Sequence, residues 1–374
     1  MDKIKMVDLR GQYLRIKEEV DKAMDEVLLS TAFIQGPQVE DFARALGDYL
    51  HSPHVVTCGN GTDALQIAMM ALDLKPGDEV ILPAYTYVAT AEVIALLGLT
   101  PVFVDVDETT FNINAQQIEG RITSRTKAIV AVHLYGQCAD MEQILTIARQ
   151  HNIPVIEDAA QALGTDYIFS DGRRKKAGTI GTIGTTSFFP TKTLGAFGDG
   201  GAIFAADPEL ARRIKMIANH GQRIKYRHEL VGVNSRLDTL QAAILRVKLN
   251  HLETYIDRRI NVAASYDTHL TGHPSVKIPR RTPYSSHVFH QYTLTVRDGK
   301  RDDLQRYLAG QQIPSVIYYP IPLHLQPAYV QTNCPEGSFP SAEKLSKAVI
   351  SLPIHTEMDE EQLNYICKTL KAFA

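Results

Sequence analysis

Four stretches of the chain carry residue types at spacings that could do chemistry. The first is CGNGTDALQIAMMAL, Cys58 to Leu72, where glycines flank Asn60 and Leu65, Ala68, Met69 and Leu72 follow at helical spacing. That pattern predicts a helix starting near Thr62, with Thr62 as its N-cap. Backbone N–H groups at such a start, beside Gly61, can close on an anion, which the helix dipole favours. A plain glycine turn with a capping threonine accounts for the same residues. The second is Asp158, which follows the apolar run PVIE and precedes Ala-Ala-Gln. Carboxylates at the C-terminal end of a sheet strand lie where open α/β sheets bind ligands; a helix N-cap is the other reading.

The third is SFFPTKTLGAFGDGGAIF, Ser187 to Phe204, with Lys192 among apolar and small residues. A lysine shielded from water has a lowered pKa and becomes an amine nucleophile suited to Schiff-base chemistry. Its ordinary alternative is a surface-turn lysine. The fourth, His220 to Leu245, gathers His220, Arg223, Lys225, Arg227, His228 and Arg236 ahead of a helix; a solvated basic loop is its bland reading. Each stretch alone is ambiguous. Together, an anion seat, a strand-end carboxylate and a half-buried lysine 34 residues later (192 − 158) match what pyridoxal phosphate needs. No P-loop, GxGxxG fingerprint, HExxH or GxSxG elbow competes. Gly178, Gly181 and Gly184 recur every three residues without matching a phosphate loop and are read as turns.

The elements that must position these residues alternate between about 55 and 206. EVILPAY precedes a helix-like segment at Ala89 to Leu97. PVFVDVD and KAIVAVHLYG follow, then a helix at Met141 to Gln150, IPVIEDAAQALG, TTSFFP and GGAIFAAD. Short β-branched and aromatic runs between helices indicate a mostly parallel sheet covered on both faces. Beyond Pro208 the pattern turns helical, with a long candidate helix from Leu237 to Leu270. Strand-like SHVFHQYTLTV and SVIYY then mix with helical Arg301 to Gln311, Ser341 to Ser351 and Glu360 to Ala372. The expected division is a large domain over 1–250 and a smaller α+β domain over 251–374. An N-terminal helix with Val20, Met24, Val27 and Leu28 at helical spacing packs on one or the other.

Composition excludes several classes. The chain has 374 residues, 22% charged and 44% hydrophobic, with 39 basic against 42 acidic side chains and a net charge of −3. No strong field is left for nucleic acid or an anionic membrane. Four scattered cysteines form neither a disulfide framework nor a CxxC metal pair, so no metal site is expected. No signal-peptide h-region or membrane-length apolar run is present, which reads as a soluble cytoplasmic protein.

NGTDAL, EDAAQ, SFFPTKTLGAFGDGG and GVNSRLDTLQAAIL, in this order, resemble the DegT/DnrJ/EryC1/StrS nucleotide-sugar aminotransferases, from VDLRGQY near the start through YPIPLHLQPAY to SLPIH. The resemblance implies a type I pyridoxal phosphate fold with a seven-stranded, mostly parallel sheet. It implies Lys192 as the Schiff-base lysine, then general base and acid, and Asp158 as partner of the pyridine nitrogen. Gln161 would sit near the ring hydroxyl and Tyr87 would stack on the ring. Gly61, Thr62, Ser187 and Asn234 of the neighbouring subunit would hold the phosphate. His220, Arg236, Tyr319 and His324 would contact the sugar, and the active site would belong to a homodimer.

Segments such as TYVATAE and LYGQCAD are similar to the branch that aminates a UDP-linked 3-keto-2-acetamido glucuronate with glutamate as donor. That branch serves bacterial surface polysaccharide, such as lipopolysaccharide O-antigen. Two departures stand out. Thr165 to Gly184 is longer and more basic than the branch pattern and is read as a larger surface hairpin; Tyr318 stands where the branch has histidine. A 4-keto-6-deoxy-sugar aminotransferase is the alternative substrate reading, and a non-enzymatic regulatory member ranks behind it. The sugar-dehydrating sister branch carries histidine in place of the lysine, and Lys192 argues against it.

Overall fold

The computed structural model describes residues 3–332 and 334–373. Seven strands form the central sheet: β1 (His54–Cys58), β2 (Glu79–Pro83), β3 (Thr100–Val104), β4 (Thr126–Val132), β5 (Val155–Asp158), β8 (Ile183–Ser187) and β9 (Gly201–Ala205), in the order β1-β9-β8-β5-β4-β2-β3. Only β9 runs against its neighbours. The expected mostly parallel, seven-stranded sheet is the one observed. The other six strands therefore end on one edge. The segments leaving those ends carry Gly59 to Gly61, Tyr85 and Tyr87, Tyr135, Asp158 and Ser187. That edge is where open α/β sheets place ligands.

Helices cover both faces. α4 (Gly61–Ala71), α5 (Ala89–Leu96) and α7 (Pro208–Ala218) bury Leu65, Ile67, Met69, Ile94 and Ile214 on one side. α6 (Met141–Gln150) buries Met141, Ile144 and Ile147 on the other. At the N-terminus α1 (Leu9–Arg15) leads into α2 (Lys17–Ser30) and α3 (Pro37–Leu50), which pack on α8 (Thr239–Asn250). Val20 and Val27 of α2 are buried, whereas Leu28 stays exposed.

The expected single helix from Leu237 to Leu270 is two. α8 stops at Asn250, and α9 (Leu252–Leu270) begins beyond His251, whose N–H bonds back to the Lys248 carbonyl in a tighter turn. The break lets α8 face α2 and α3 while α9 faces α12 (Glu360–Lys371). The helix expected over Ser341 to Ser351 is also cut short. α11 (Pro340–Ala348) gives way to β14 (Val349–Leu352), because the β-branched pair Val349-Ile350 completes a sheet with β12 (Val276–Lys277) and β13 (Tyr292–Val296). Strand-like SVIYY makes only an isolated bridge, Val316 to Ser351, between Pro314 and Pro320, which lack N–H donors. α10 (Arg301–Gly310) and α12 flank this small sheet, and Leu304, Leu308, Ile366 and Leu370 fill its core. Thr165 to Gly184 contains the expected hairpin, β6 (Asp166–Ile168) against β7 (Arg174–Lys176), and a second small hairpin pairs β10 (Gln222–Ile224) with β11 (Arg227–His228).

One buried charge ties the sheet ends together. Glu157, the neighbour of Asp158 on β5, has no exposed surface. Its carboxylate accepts from Gly178 N at 2.9 Å, Ile180 N at 2.6 Å, Gly181 N, and His133 Nε2 at 2.8 Å. Ala139 N donates to His133 Nδ1 at 3.1 Å, so Nε2 carries the proton and the imidazole is neutral. A buried carboxylate without donors would cost many kcal/mol, while each bond to a charged group returns roughly 1.5–3 kcal/mol. The turn from Gly178 to Gly181 is thus a cradle for Glu157. It is also packed to the limit, since a Cβ on Gly184 would lie 1.8 Å from the Gly178 carbonyl oxygen. Gly184→Ala should therefore lose about 3 kcal/mol or more of stability, or fail to fold. Gly120→Ala, where nothing lies within 4 Å, should stay within about 1 kcal/mol of native in urea unfolding.

Candidate active site

The seat at the start of α4 differs from expectation in one residue. Asn60, not Thr62, is the N-cap: its side chain accepts from Asp63 N at 2.8 Å, and the helix begins at Gly61. Asparagine caps as well as threonine, and the extended backbone of Asn60 turns its amide toward the helix start. Thr62 is then inside the first turn, its hydroxyl not needed for capping. A Cβ on Gly61 would lie 2.7 Å from the Ser187 Cβ, so the end of β8 touches bare backbone. Ser187 Oγ accepts from Phe189 N at 3.2 Å and keeps its hydroxyl hydrogen for another acceptor. Glycine, helix N-terminus and hydroxyl donor together make an anion seat.

Asp158 is 8% exposed at the end of β5. Thr90 Oγ1 donates to its Oδ2 at 3.2 Å and Ala160 N to its Oδ1 at 3.0 Å. Turns rather than a helix follow it, so it is not an N-cap. Gln161 is fixed in orientation. Its Oε1 accepts from Tyr135 N at 2.8 Å, which turns Nε2 toward the Tyr319 hydroxyl at 3.1 Å. Tyr319 is held in turn by Tyr85, whose hydroxyl accepts from Tyr319 N and donates to the Tyr318 carbonyl, both at 2.7 Å. Tyr135 Oη also bonds that carbonyl. Tyr87, 56% exposed, lies beside them with its ring centroid 6.1 Å from that of Tyr319.

Lys192 keeps a partial opening to solvent, yet protein crowds its amine closely enough that lost hydration lowers its pKa to about 8, against an opposing pull from the Asp158 charge. Among the described residues nothing accepts a hydrogen bond from Nζ. Its turn is held from behind by Lys248, which is buried and donates to the Gly195 carbonyl. His290 is kept neutral, well below the ordinary imidazole range, by burial and by the Lys192 and Arg259 charges.

The structure thus brings together Gly61, Ser187, Lys192, Asp158, Gln161, Tyr319 and Tyr87. Asn234 is exposed, its backbone bridged to Asn219, and it precedes Ser235, whose hydroxyl bonds Gly59 N just before the seat. Arg236 Nη2 donates to His220 Nε2 at 3.3 Å, so these two expected sugar contacts are neighbours. His324 is buried against Glu343, 3.0 Å from its Oε1, and against the edge of Phe339. No hydrogen bond or ring contact joins it to Tyr319 or Gln161 among the described residues. Reading the sequence missed Glu157, His133, Tyr85, Tyr135 and Thr90. The glycine triplet was the available signal for Glu157; nothing local marks the others.

These groups fit pyridoxal phosphate. A free amine of lowered pKa, a strand-end carboxylate, an anion seat and an exposed aromatic ring sit on one sheet edge. Among the described residues no cluster could hold a metal ion, and no helix is long and apolar enough to cross a membrane.

Comparison with known proteins agrees. The DegT/DnrJ/EryC1/StrS aminotransferase family matches residues 14–371. The chain is 46% identical to a UDP-2-acetamido-2-deoxy-3-oxo-D-glucuronate aminotransferase of Pseudomonas aeruginosa, over 98% of this chain and 99% of the relative. It is also 46% identical to a pleiotropic regulatory protein of Geobacillus stearothermophilus, over 99% and 98%. Other relatives, at 40% and 42%, are transaminases of dTDP-linked amino sugars. The S. venezuelae DesV structure, in complex with a ketimine intermediate, superposes with a TM-score of 0.95 at 39% identity, covering 99% of this chain and 98% of that one.

In the cofactor-free protein, reductive methylation of Lys192 followed by mass spectrometry should rise with pH to a midpoint near 8, rather than the ordinary 10.5. The Asp158 charge is the one influence raising that pKa, so Asp158→Asn should move the midpoint lower still. An unchanged or higher midpoint would show that the two groups do not interact.

Proposed function

The chain belongs to the DegT/DnrJ/EryC1/StrS family of pyridoxal phosphate-dependent sugar aminotransferases, and we propose that its substrate is a UDP-linked 3-keto-2-acetamido glucuronate, aminated at C3 with glutamate as donor. The product would feed bacterial surface polysaccharide synthesis in the cytoplasm. The observation that carries the substrate reading is the Arg236–His220 pair. A uronate brings a carboxylate in addition to its diphosphate, and burying that charge unpaired would cost several kcal/mol. A planar guanidinium answers a carboxylate with two parallel bonds, and His220 already orients the Arg236 fork.

When bound, pyridoxal phosphate supplies an electron sink for the charge left when a proton leaves carbon. The protein supplies the rest. Gly61, Thr62 and Ser187 would bind the phosphate, joined by Asn234 of the partner subunit. Asp158 would keep a proton on the pyridine nitrogen, Gln161, its amide fixed by Tyr135, would meet the ring hydroxyl, and Tyr87 would lie against the ring. Lys192, with a pKa near the working pH, accepts a proton from carbon and returns it, as an unperturbed lysine could not. Tyr319, whose oxygen accepts from Gln161, retains a hydroxyl hydrogen to donate to the sugar.

Turnover should be at least about tenfold faster with the 3-keto uronate than with 4-keto-6-deoxy or dTDP-linked keto sugars, which lack the carboxylate. Arg236→Ala should raise KM for the uronate about tenfold or more, the worth of a charge-assisted bond, with cofactor content unchanged. Preference for a sugar without a carboxylate would overturn the substrate and leave the aminotransferase.

The shared site has its own check. Lys192→Ala and Asn234→Ala proteins, each inactive or nearly so, should recover activity when their subunits are exchanged. Each mixed dimer then contains one site with both residues native. No recovery after demonstrated exchange would place both residues in one subunit's site.

A further inference from the structure

We propose that a short hydrogen-bond chain, Gly59 to Ser235 to Asp63, is a positioning joint through which one subunit sets the Asn234 that serves the other subunit's site. The proposal rests on the shared-site reading above and adds the device that aims the shared residue.

Ser235 Oγ accepts from Gly59 N at 2.9 Å and donates to Asp63 Oδ2 at 2.6 Å. Ser235 is buried, while Asn234 before it is exposed and Arg236 after it is partly so. Within this stretch the serine is the inward tooth, and the two neighbours proposed to act on ligands point away from it. Its grip lies on a telling place. Asp63 is the third residue of α4 and Gly59 immediately precedes the Asn60 cap, so the turn that forms a subunit's own phosphate seat also holds the segment that leaves for the partner. The stretch is anchored on a second side as well, by Ser235 N to the Ala218 carbonyl at 3.0 Å and His220 N to the Val233 carbonyl at 2.8 Å.

The chemistry of the joint allows little substitution. The hydroxyl gives its single donor to Asp63 and one of its two acceptor lone pairs to Gly59 N. Alanine at 235 would leave the Gly59 N–H and the Asp63 carboxylate without this partner. A Cβ at position 59 would come within 3.1 Å of Asp63 Oδ2 and 3.3 Å of Ser235 Oγ, so a side chain there would push both partners by a few tenths of an ångström. The joint touches neither cofactor nor substrate directly; it acts through Asn234.

Mixed dimers, purified by two affinity tags, separate this role from a local one. In the first arrangement one subunit carries Lys192→Ala and Ser235→Ala and its partner is native. The single lysine-bearing seat then has its own joint intact but receives the altered stretch. In the second, Ser235→Ala is on the lysine-bearing subunit and Lys192→Ala on the other. The readout is the pyridoxal phosphate that borohydride fixes to Lys192 after graded dilution. The first arrangement should bind the cofactor about tenfold more weakly than native, the loss of one hydrogen bond to a charged group, and the second within about twofold of native. Asp63→Asn, which keeps an acceptor for Ser235, should behave as native in both; a loss equal to that of Ser235→Ala would overturn the hydrogen-bond account. Weakening confined to the second arrangement, or in neither, would overturn the joint. Asn234→Ala in the same two arrangements is the control. If Asn234→Ala acts only on its own subunit, the shared-site reading falls and the joint with it. If Asn234→Ala acts across and Ser235→Ala does not, only the joint is lost.

Discussion

The buried Glu157 carboxylate ties three neighbouring segments of the sheet together. It receives donors from the end of β4 through His133 and from the turn at Gly178 to Gly181 that feeds β8. Asp158 follows it on the strand and, by alternation, faces the opposite side of the sheet. A shift of any of these three elements would strip a donor from a charge that has no water to replace it. Because β8 leads through Ser187 to Lys192, the constraint reaches both ends of the cofactor site, carboxylate and amine, while touching neither.

Around that frame the site divides its charges with care. Lys192 is depressed toward neutrality, His290 beside it is neutral, and His133 is neutral by its hydrogen bonds. Phenols at Tyr85 and Tyr135 are pushed upward by burial and stay protonated. The polar groups near the lysine are therefore mostly uncharged donors and acceptors, and Asp158 is the strong charge coupled to it. Such a setting lets a single carboxylate influence the amine without competition from the other side chains.

Much of this was legible in the chain because chemistry and local pattern coincide there. Lys192 sits in a glycine-rich turn, Asp158 ends an apolar strand, and the strand–helix alternation to residue 206 has one good solution as a parallel sheet. What escaped is what depends on distance along the chain. Tyr85 and Tyr319 are 234 residues apart when they bond, and Glu157 meets Gly178 across 21. The break at His251 was invisible because no glycine or proline marks it; the helix divides so that its halves can face different neighbours. Val349 to Leu352 looked helical because it continues α11, and only pairing with β13 makes it a strand. The cap moved from Thr62 to Asn60 because both residue types cap well and only backbone direction chooses between them.

Tyr85 and Tyr135 hold position 318 by its carbonyl, and Tyr85 holds position 319 by its N–H. That grip reads main chain alone, and it is indifferent to which side chain stands at 318. The residue there departs from the histidine of the resembling branch without disturbing the turn that presents Tyr319 to Gln161. Side chains at 318 can thus be exchanged while the hydrogen bonds that place Tyr319 against Gln161 stay as they are.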